Sequence, residues 1–266
     1  MDNKECKITS PGLGFWLIKK EDAKNVFISG YQAGYRHFDT AIVYGNEKEI
    51  GEAIKELNVP RESFFLTSKI DANTKSYKKA KEAIKESLAR LGVDYLDLML
   101  IHAPKPWLLM FIPFIPRYKK ANREVWRAML DAKKEGKIKN LGVSNFNIKD
   151  IKNIQNYSKE KIFTNQIRIH IGHVPYKLIK YCKDNNILLE AYSPIGTGRL
   201  KNKKKLKVIA NKYNVSVPQL CIKYCEMLDT LPLPRSKNPN HIKENLKLDF
   251  TISKEDMDEL AKIKVL

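Results

Sequence analysis

Four side chains in the first 102 residues are of types that can move a proton together: Asp39, Tyr44, Lys69 and His102. Asp39 and Tyr44 share one short stretch, "GYRHFDTAIVYGNEKEIG" (34–51), where an apolar run ends in the acid and a helix-like pattern begins at Asn46. A free tyrosine titrates near pH 10, so it holds its proton too tightly to be a good acid at neutrality. A neighbouring ammonium favours the phenolate and lowers that value. Lys69 supplies such an ammonium, and Asp39 can hold it charged and in place. His102 can donate a hydrogen bond to a substrate oxygen. Together the four can protonate a carbonyl oxygen as a hydride reaches its carbon. Each also has a plainer reading: Asp39 as a helix cap, Tyr44 as loop packing, Lys69 as one more of 40 lysines, His102 as a hydrogen-bonded interior histidine.

The elements that must position them alternate regularly. Strand-like apolar runs occupy 12–16, 36–41, 64–70, 95–102, 139–145, 162–167, 187–194 and 230–236. Helical patterns lie between them, as in "KEDAKNVFISGYQAG" with Ala23, Val26, Phe27 and Gly30 on one face. "YKKAKEAIKESLARLG" ends in Gly92, a helix-stop residue. "NREVWRAMLDAKKEG" and "VPYKLIKYCKDNN" behave alike. Strands apolar on both faces and alternating with helices imply parallel βαβ units. Eight of them in 266 residues predict an α/β fold, a (β/α)8 barrel forming a single domain over 1–266.

A barrel of this kind carries its function at the C-terminal ends of its strands. The polar residues there are Asp39, Lys69, His102, Ser144–Asn145, Gln166, Tyr192–Ser193 and Arg235–Ser236. Amide and hydroxyl side chains such as Ser144, Asn145 and Gln166 can meet both the donor and the acceptor of a carboxamide. A tyrosine face such as that of Tyr192 suits a flat ring. Ser144 and Asn145 also read as turn formers, and Gln166 as a partner for backbone. No G-x-G-x-x-G follows a strand: "GLGFWL" has Leu17 in the third place and "GTGRLK" fails in the same way, which disfavours a Rossmann dehydrogenase.

With their flanks these residues are specific. "GYRHFDTAxxYGNE", "TSK", "DLMLIH", "GVSNF", "NQI", "AYSPIGTG" and "LPRSKNPNHIKENL", in this order and spacing, resemble the aldo-keto reductase family from about Gly12 to Phe250. The resemblance implies a (β/α)8 barrel that reduces aldehydes or ketones to alcohols with NADPH, less often NADH. It implies Tyr44 as general acid, Lys69 and Asp39 as the pair that tunes it, and His102 as orienter of the carbonyl. Ser144, Asn145 and Gln166 match residues that hold the nicotinamide carboxamide, and Tyr192 matches the aromatic stacked on its ring. Ser193, Pro194 and Ile195 match the start of the loop over the pyrophosphate. Arg235, Ser236, Asn238 and His241 align with groups around the adenosine 2′-phosphate, Glu244 and Asn245 with adenine contacts. The family usually has arginine at His241, and a histidine is mostly neutral at pH 7. Lys237 can compensate for the lost charge, so NADPH is favoured with weaker discrimination against NADH.

The substrate side is assigned to Trp16, His102, Ala103 and Trp107. Ala103 stands where the family commonly has tryptophan, which implies a more open pocket. In "NQIRIHI", Arg168 replaces an acid and Ile171 a proline. The apolar stretch 103–118 reads as a pocket lid for hydrophobic aldehydes, as packing against the barrel, or as a partner surface. The chain ends soon after "ISKEDMDELAKIKVL", so the tail that often covers the family's pocket is expected to be absent. The alternative function is a cofactor-binding regulatory or scaffold protein on the same fold with little turnover.

The bulk properties narrow the partners. Of 49 basic residues only nine are arginine, and the net charge of +19 is spread over nearly every helix, with one dense cluster at 200–207. That is read as a solvated surface, with no specific nucleic-acid partner. No apolar run is long enough for a membrane span, and the N-terminus lacks a signal-like segment. The expectation is a cytoplasmic monomer acting on a small-molecule carbonyl substrate. Cys6, Cys182, Cys221 and Cys225 have no metal-ligand spacing, so no metal is expected, and Cys221 and Cys225 read as buried helical thiols.

Overall fold

The computed structural model describes residues 7–110, 112 and 118–264. Eight strands lie side by side in chain order: β1 (Leu13–Gly14), β2 (His37–Asp39), β3 (Phe65–Ile70), β4 (Leu96–Ile101), β5 (Ile138–Ser144), β6 (Thr164–Arg168), β7 (Leu188–Tyr192) and β8 (Leu231–Leu233). Every neighbouring pair is parallel. The ring closes between its ends through two bonds, Gly12 N–H to the Pro232 carbonyl at 3.0 Å and Gly14 N–H to the Pro234 carbonyl at 2.9 Å. The (β/α)8 barrel expected from the alternation is therefore present. All its strands but β5 are shorter than the apolar runs, most of all β1, β2 and β8. The outer residues of those runs leave the ladder to form the turns at the barrel rim.

The crossovers are helical: α1 (Lys20–Ala33), α2 (Glu47–Leu57), α3 (Tyr77–Leu91), α4 (Lys119–Lys134), α5 (Ile148–Gln155), α6 (Tyr176–Asp184), α7 (Lys204–Lys212) and α8 (Val217–Glu226), with α9 (Pro239–Glu244) and α10 (Lys254–Ala261) after the last strand. Local chemistry sets their ends. The Ser76 hydroxyl accepts the Lys79 N–H to start α3, and Gly92 ends it at φ 63°, a left-handed turn that costs glycine little. Asn147 and Asp150 form a capping box on α5, and Ser216 and Gln219 form one on α8. α4 starts at Lys119, three residues before the expected "NREV". α8 buries Cys221 and Cys225, as expected, while Cys6 lies outside the described residues.

The main core lies between the outer faces of the strands and the helices, where Phe15, Phe27, Phe38 and Phe64 pack ring on ring. A second cluster, Phe65, Leu98 and Leu100 with Ile8 and Phe163, is separate from it. Successive strand residues point to opposite faces, so the inward set on each strand recurs every second residue. That set pairs His37 with Asp39, Thr67 with Lys69, and Glu190 with Tyr192. All but Tyr192 are buried. Polar side chains therefore run down into the barrel below the rim.

Candidate active site

Asp39 is the last residue of β2 and Lys69 the fifth of β3. Their side chains are withdrawn from water, and Lys69 Nζ donates to Asp39 Oδ1 at 2.6 Å and to the Thr40 carbonyl at 2.8 Å. The Tyr44 hydroxyl stands 3.2 Å from the same nitrogen. Tyr44 is carried there by a short turn of 3₁₀ helix, Ile42–Tyr44. Asn46 locks that turn. Its amide donates to the Phe15 and Ile18 carbonyls at 3.1 and 3.0 Å, and its carbonyl accepts from the Thr40 hydroxyl at 2.8 Å. Asn46, not Asp39, occupies the N-cap position of α2, so the helix-cap reading of Asp39 is corrected. The acid is spent on Lys69.

His102 follows β4, and its ring stands edge-on to Tyr44 at 5.6 Å and to Trp107 at 4.8 Å between centroids. Burial, reinforced by the Lys69 ammonium, holds its pKa well below the usual histidine range, so the imidazole is neutral. Burial lowers the Lys69 value too, but Asp39 and Tyr44 outweigh it and leave the ammonium favoured. Tyr44 departs from expectation. Burial pushes its phenol up to about 12, against the pull of Lys69 and with a contribution from Asp39. In the ligand-free site the phenol keeps its proton.

Asp39, Tyr44 and His102 line a cleft of about 940 Å³ at the strand ends, with Lys69 fully buried beside them. Toward one side it is lined by Trp16, Leu17, Val43, Trp107 and Met110, and toward the other by Lys201, Arg235, Ser236, Lys237, Asn238 and His241. Between them lie Ser144, Asn145, Gln166, Arg168, Tyr192, Ser193, Pro194 and Ile195. Asn145 is held at φ 61° and Ser193 at φ 54°, unusual backbone for residues other than glycine. Asn145 donates to the His102 carbonyl at 3.0 Å and accepts from the Tyr192 hydroxyl at 2.8 Å. The Ser144 hydroxyl donates to the Gln166 backbone carbonyl at 3.0 Å. Lys237 reaches Asp22 at 3.5 Å.

Four expected residues are not on the cleft wall, Lys69 and three others. Ala103 is fully buried, and its backbone carbonyl accepts from Lys75 Nζ at 2.8 Å. Asn245 is buried and Glu244 is exposed on the far part of α9, and neither lines the cleft. Of the apolar stretch 103–118, Trp107 and Met110 line the cleft, while 111 and 113–117 lie outside the described residues. Two interior residues were missed from sequence. Glu190 accepts from Gln166 Nε2 at 2.9 Å, and His37 Nε2 lies 3.5 Å from its other oxygen. Counting back two residues from Tyr192 and from Asp39 finds both.

The residues present fit a phosphate-bearing nicotinamide nucleotide. The cleft has a cationic arm, Lys201, Arg235 and Lys237, and an amide-and-hydroxyl middle beside a tyrosine ring. Among the described residues no cluster of histidine, cysteine and acid is arranged to hold a metal, and no helix is long and apolar enough to cross a membrane.

Such a barrel and such a cleft define a nicotinamide-dependent oxidoreductase. Residues 10–265 match the Aldo/keto reductase family. The chain is 35% identical over 280 residues to glycerol 2-dehydrogenase (NADP(+)) of Saccharomyces cerevisiae, covering 98% of this chain and 89% of that protein. It is 35% identical over 251 residues to glyoxal reductase of Bacillus subtilis, covering 94% and 86%. The crystal structure of MGS-M4, an aldo-keto reductase from a deep-sea metagenome library, superimposes with a TM-score of 0.88 at 34% identity over 99% of this chain and 96% of that one. The chain belongs to the aldo-keto reductase family and is a carbonyl-reducing enzyme of that family.

Proposed function

We propose that the protein reduces apolar aldehydes with NADPH, and that Tyr44 is its general acid. The observation that carries this is the single ammonium of Lys69, in contact with both the Asp39 carboxylate and the Tyr44 hydroxyl at the floor of the cleft. When bound, the nicotinamide supplies a hydride to the carbonyl carbon. Tyr44 donates its phenolic proton to the carbonyl oxygen, which leaves an alcohol and a phenolate. Lys69 stabilises that phenolate at 3.2 Å, and solvent returns the proton. A phenol that holds its proton firmly in the empty site releases it to an oxygen that is gaining charge, which is the moment when release is needed. Neutral His102 orients the same oxygen by an N–H donor.

Ser144, Asn145 and Gln166 would hold the carboxamide, and Tyr192 would present its ring face. Ser193, Pro194 and Ile195 would flank the pyrophosphate. Arg235, with Ser236, Asn238 and His241, would take the 2′-phosphate, a forked cation being suited to that anion. With Lys237 shared with Asp22 and His241 in place of an arginine, NADPH is preferred by a modest margin. Trp16 and Trp107 would wall the substrate side. The protein is read as a monomer.

The test is NADPH and NADH consumption by purified enzyme against small, aromatic and medium-chain aldehydes, beside Tyr44→Phe. The variant is expected to lose roughly 10²–10⁴ in turnover and to bind NADPH as the parent does. Undiminished turnover in the variant would overturn the assignment of Tyr44. NADPH binding with no turnover on any aldehyde would overturn the substrate class.

A further inference from the structure

Behind Tyr44 and Lys69 lies a second carboxyl that the chemistry does not use. Glu190 is fully buried on β7. It faces His37 and Asp39 from β2, Lys69 from β3 and Gln166 from β6, with Leu231 of β8 as its strand neighbour. Gln166 Nε2 is shared between two acids, donating to Asp39 Oδ2 at 2.8 Å and to Glu190 Oε2 at 2.9 Å.

Two carboxyls that share one amide nitrogen have one ammonium between them. Lys69 is bonded to Asp39 and not to Glu190. His37 is buried and neutral, its pKa driven down to about 3 mainly by burial, so it offers Glu190 no charge. A second buried carboxylate without a cation is too costly to keep ionised. Burial, with Asp39 close by, raises the Glu190 pKa well above the ordinary carboxylate range, in agreement with that count. Glu190 Oε1, 3.5 Å from His37 Nε2, has no hydrogen-bond partner among the described residues.

Both hydrogens of the Gln166 amide are then committed inward. Its carbonyl oxygen takes no part in either bond, and the residue lines the cleft. We propose that Glu190 is a positioning residue, held as a neutral acid, which with Asp39 fixes the Gln166 amide so that its oxygen faces the cleft to accept a carboxamide N–H. This rests on the reading of Gln166 as a nicotinamide contact. An unanchored amide would rotate freely and offer donor and acceptor alike.

The test compares the parent with Glu190→Gln and Glu190→Leu. Infrared spectra of the ligand-free protein at pH 7 should show a buried protonated carboxyl that is absent in Glu190→Gln. NADPH affinity, read by fluorescence, should stay within about twofold in Glu190→Gln, whose amide carbonyl accepts the same bond. It should fall about five- to tenfold in Glu190→Leu, the loss of one buried hydrogen bond, with kcat at saturation reduced less than affinity. Equal affinity in Glu190→Leu, equal loss in both variants, or no carboxyl band lost would each overturn the proposal. Should Glu190→Leu not fold, the infrared comparison and Glu190→Gln decide alone. A parent that binds no NADPH would instead show that the cofactor reading fails, and the proposal with it.

Discussion

Lys69 and Asp39 form an ion pair at 2.6 Å with neither side chain exposed to water beyond a few per cent. Such a pair contributes little net stability while intact, because both charges gave up their hydration. Its weight is felt when one partner is removed.

Asp39→Asn would leave a buried ammonium without its carboxylate. The expected cost is about 3–5 kcal/mol of folding stability, measured by urea denaturation at pH 7, with turnover lost as well. The pair also carries a pH signature. The native Lys69 value lies above its ordinary one, so its contribution is complete below the unfolded value of about 10.4 and is lost as pH rises through the higher native value. Melting temperatures from pH 8 upward should hold, then fall. Asp39→Asn should lack that alkaline step.

Asn46 ties the loop after β1 to the turn carrying Tyr44 through three buried side-chain bonds. Asn46→Ala strands two carbonyls and a hydroxyl. A loss of about 2–3 kcal/mol is expected, and the KM for aldehydes should rise because Trp16 and Leu17 lie inside the same loop. Calorimetry together with steady-state kinetics checks both. Unchanged stability would mean that water replaces the amide.

Arg235 is exposed at the cationic arm and makes no ion pair among the described residues. Arg235→Ala should weaken NADPH about tenfold or more, as for hydrogen bonds to a charged group, and leave NADH nearly unchanged. His241→Arg should widen the preference for NADPH. Dissociation constants for both nucleotides decide this, and a parallel loss for NADPH and NADH would remove the 2′-phosphate from the account.

Trp107 meets His102 edge-on at 4.8 Å. Trp107→Ala should raise the KM for aromatic aldehydes about tenfold and affect the smallest aldehydes less. An equal effect across the panel would mean that the ring acts only through His102.

The architecture was legible because the strands are apolar on both faces and the helices on one. The four candidate proton-transfer residues could be named because Asp39, Lys69 and His102 stand at or beside strand ends, where polarity breaks an apolar run, and Tyr44 follows on the turn after Asp39. Glu190 and His37 were hidden by the opposite circumstance. Each sits within a run, and a polar residue inside "ILLEAY" or "RHFD" carries no sign of which face it takes until the register is known. The raised Tyr44 value was equally out of reach, since it is a balance of burial against charge that depends on depth, which no spacing reports.

The seam of the barrel has a direction. Pro232 and Pro234 have no N–H to give, so the last strand meets the first only by accepting, through the amides of Gly12 and Gly14. That edge continues directly into Arg235, so the stretch that carries the cleft's exposed guanidinium begins at a joint bonded in one direction only.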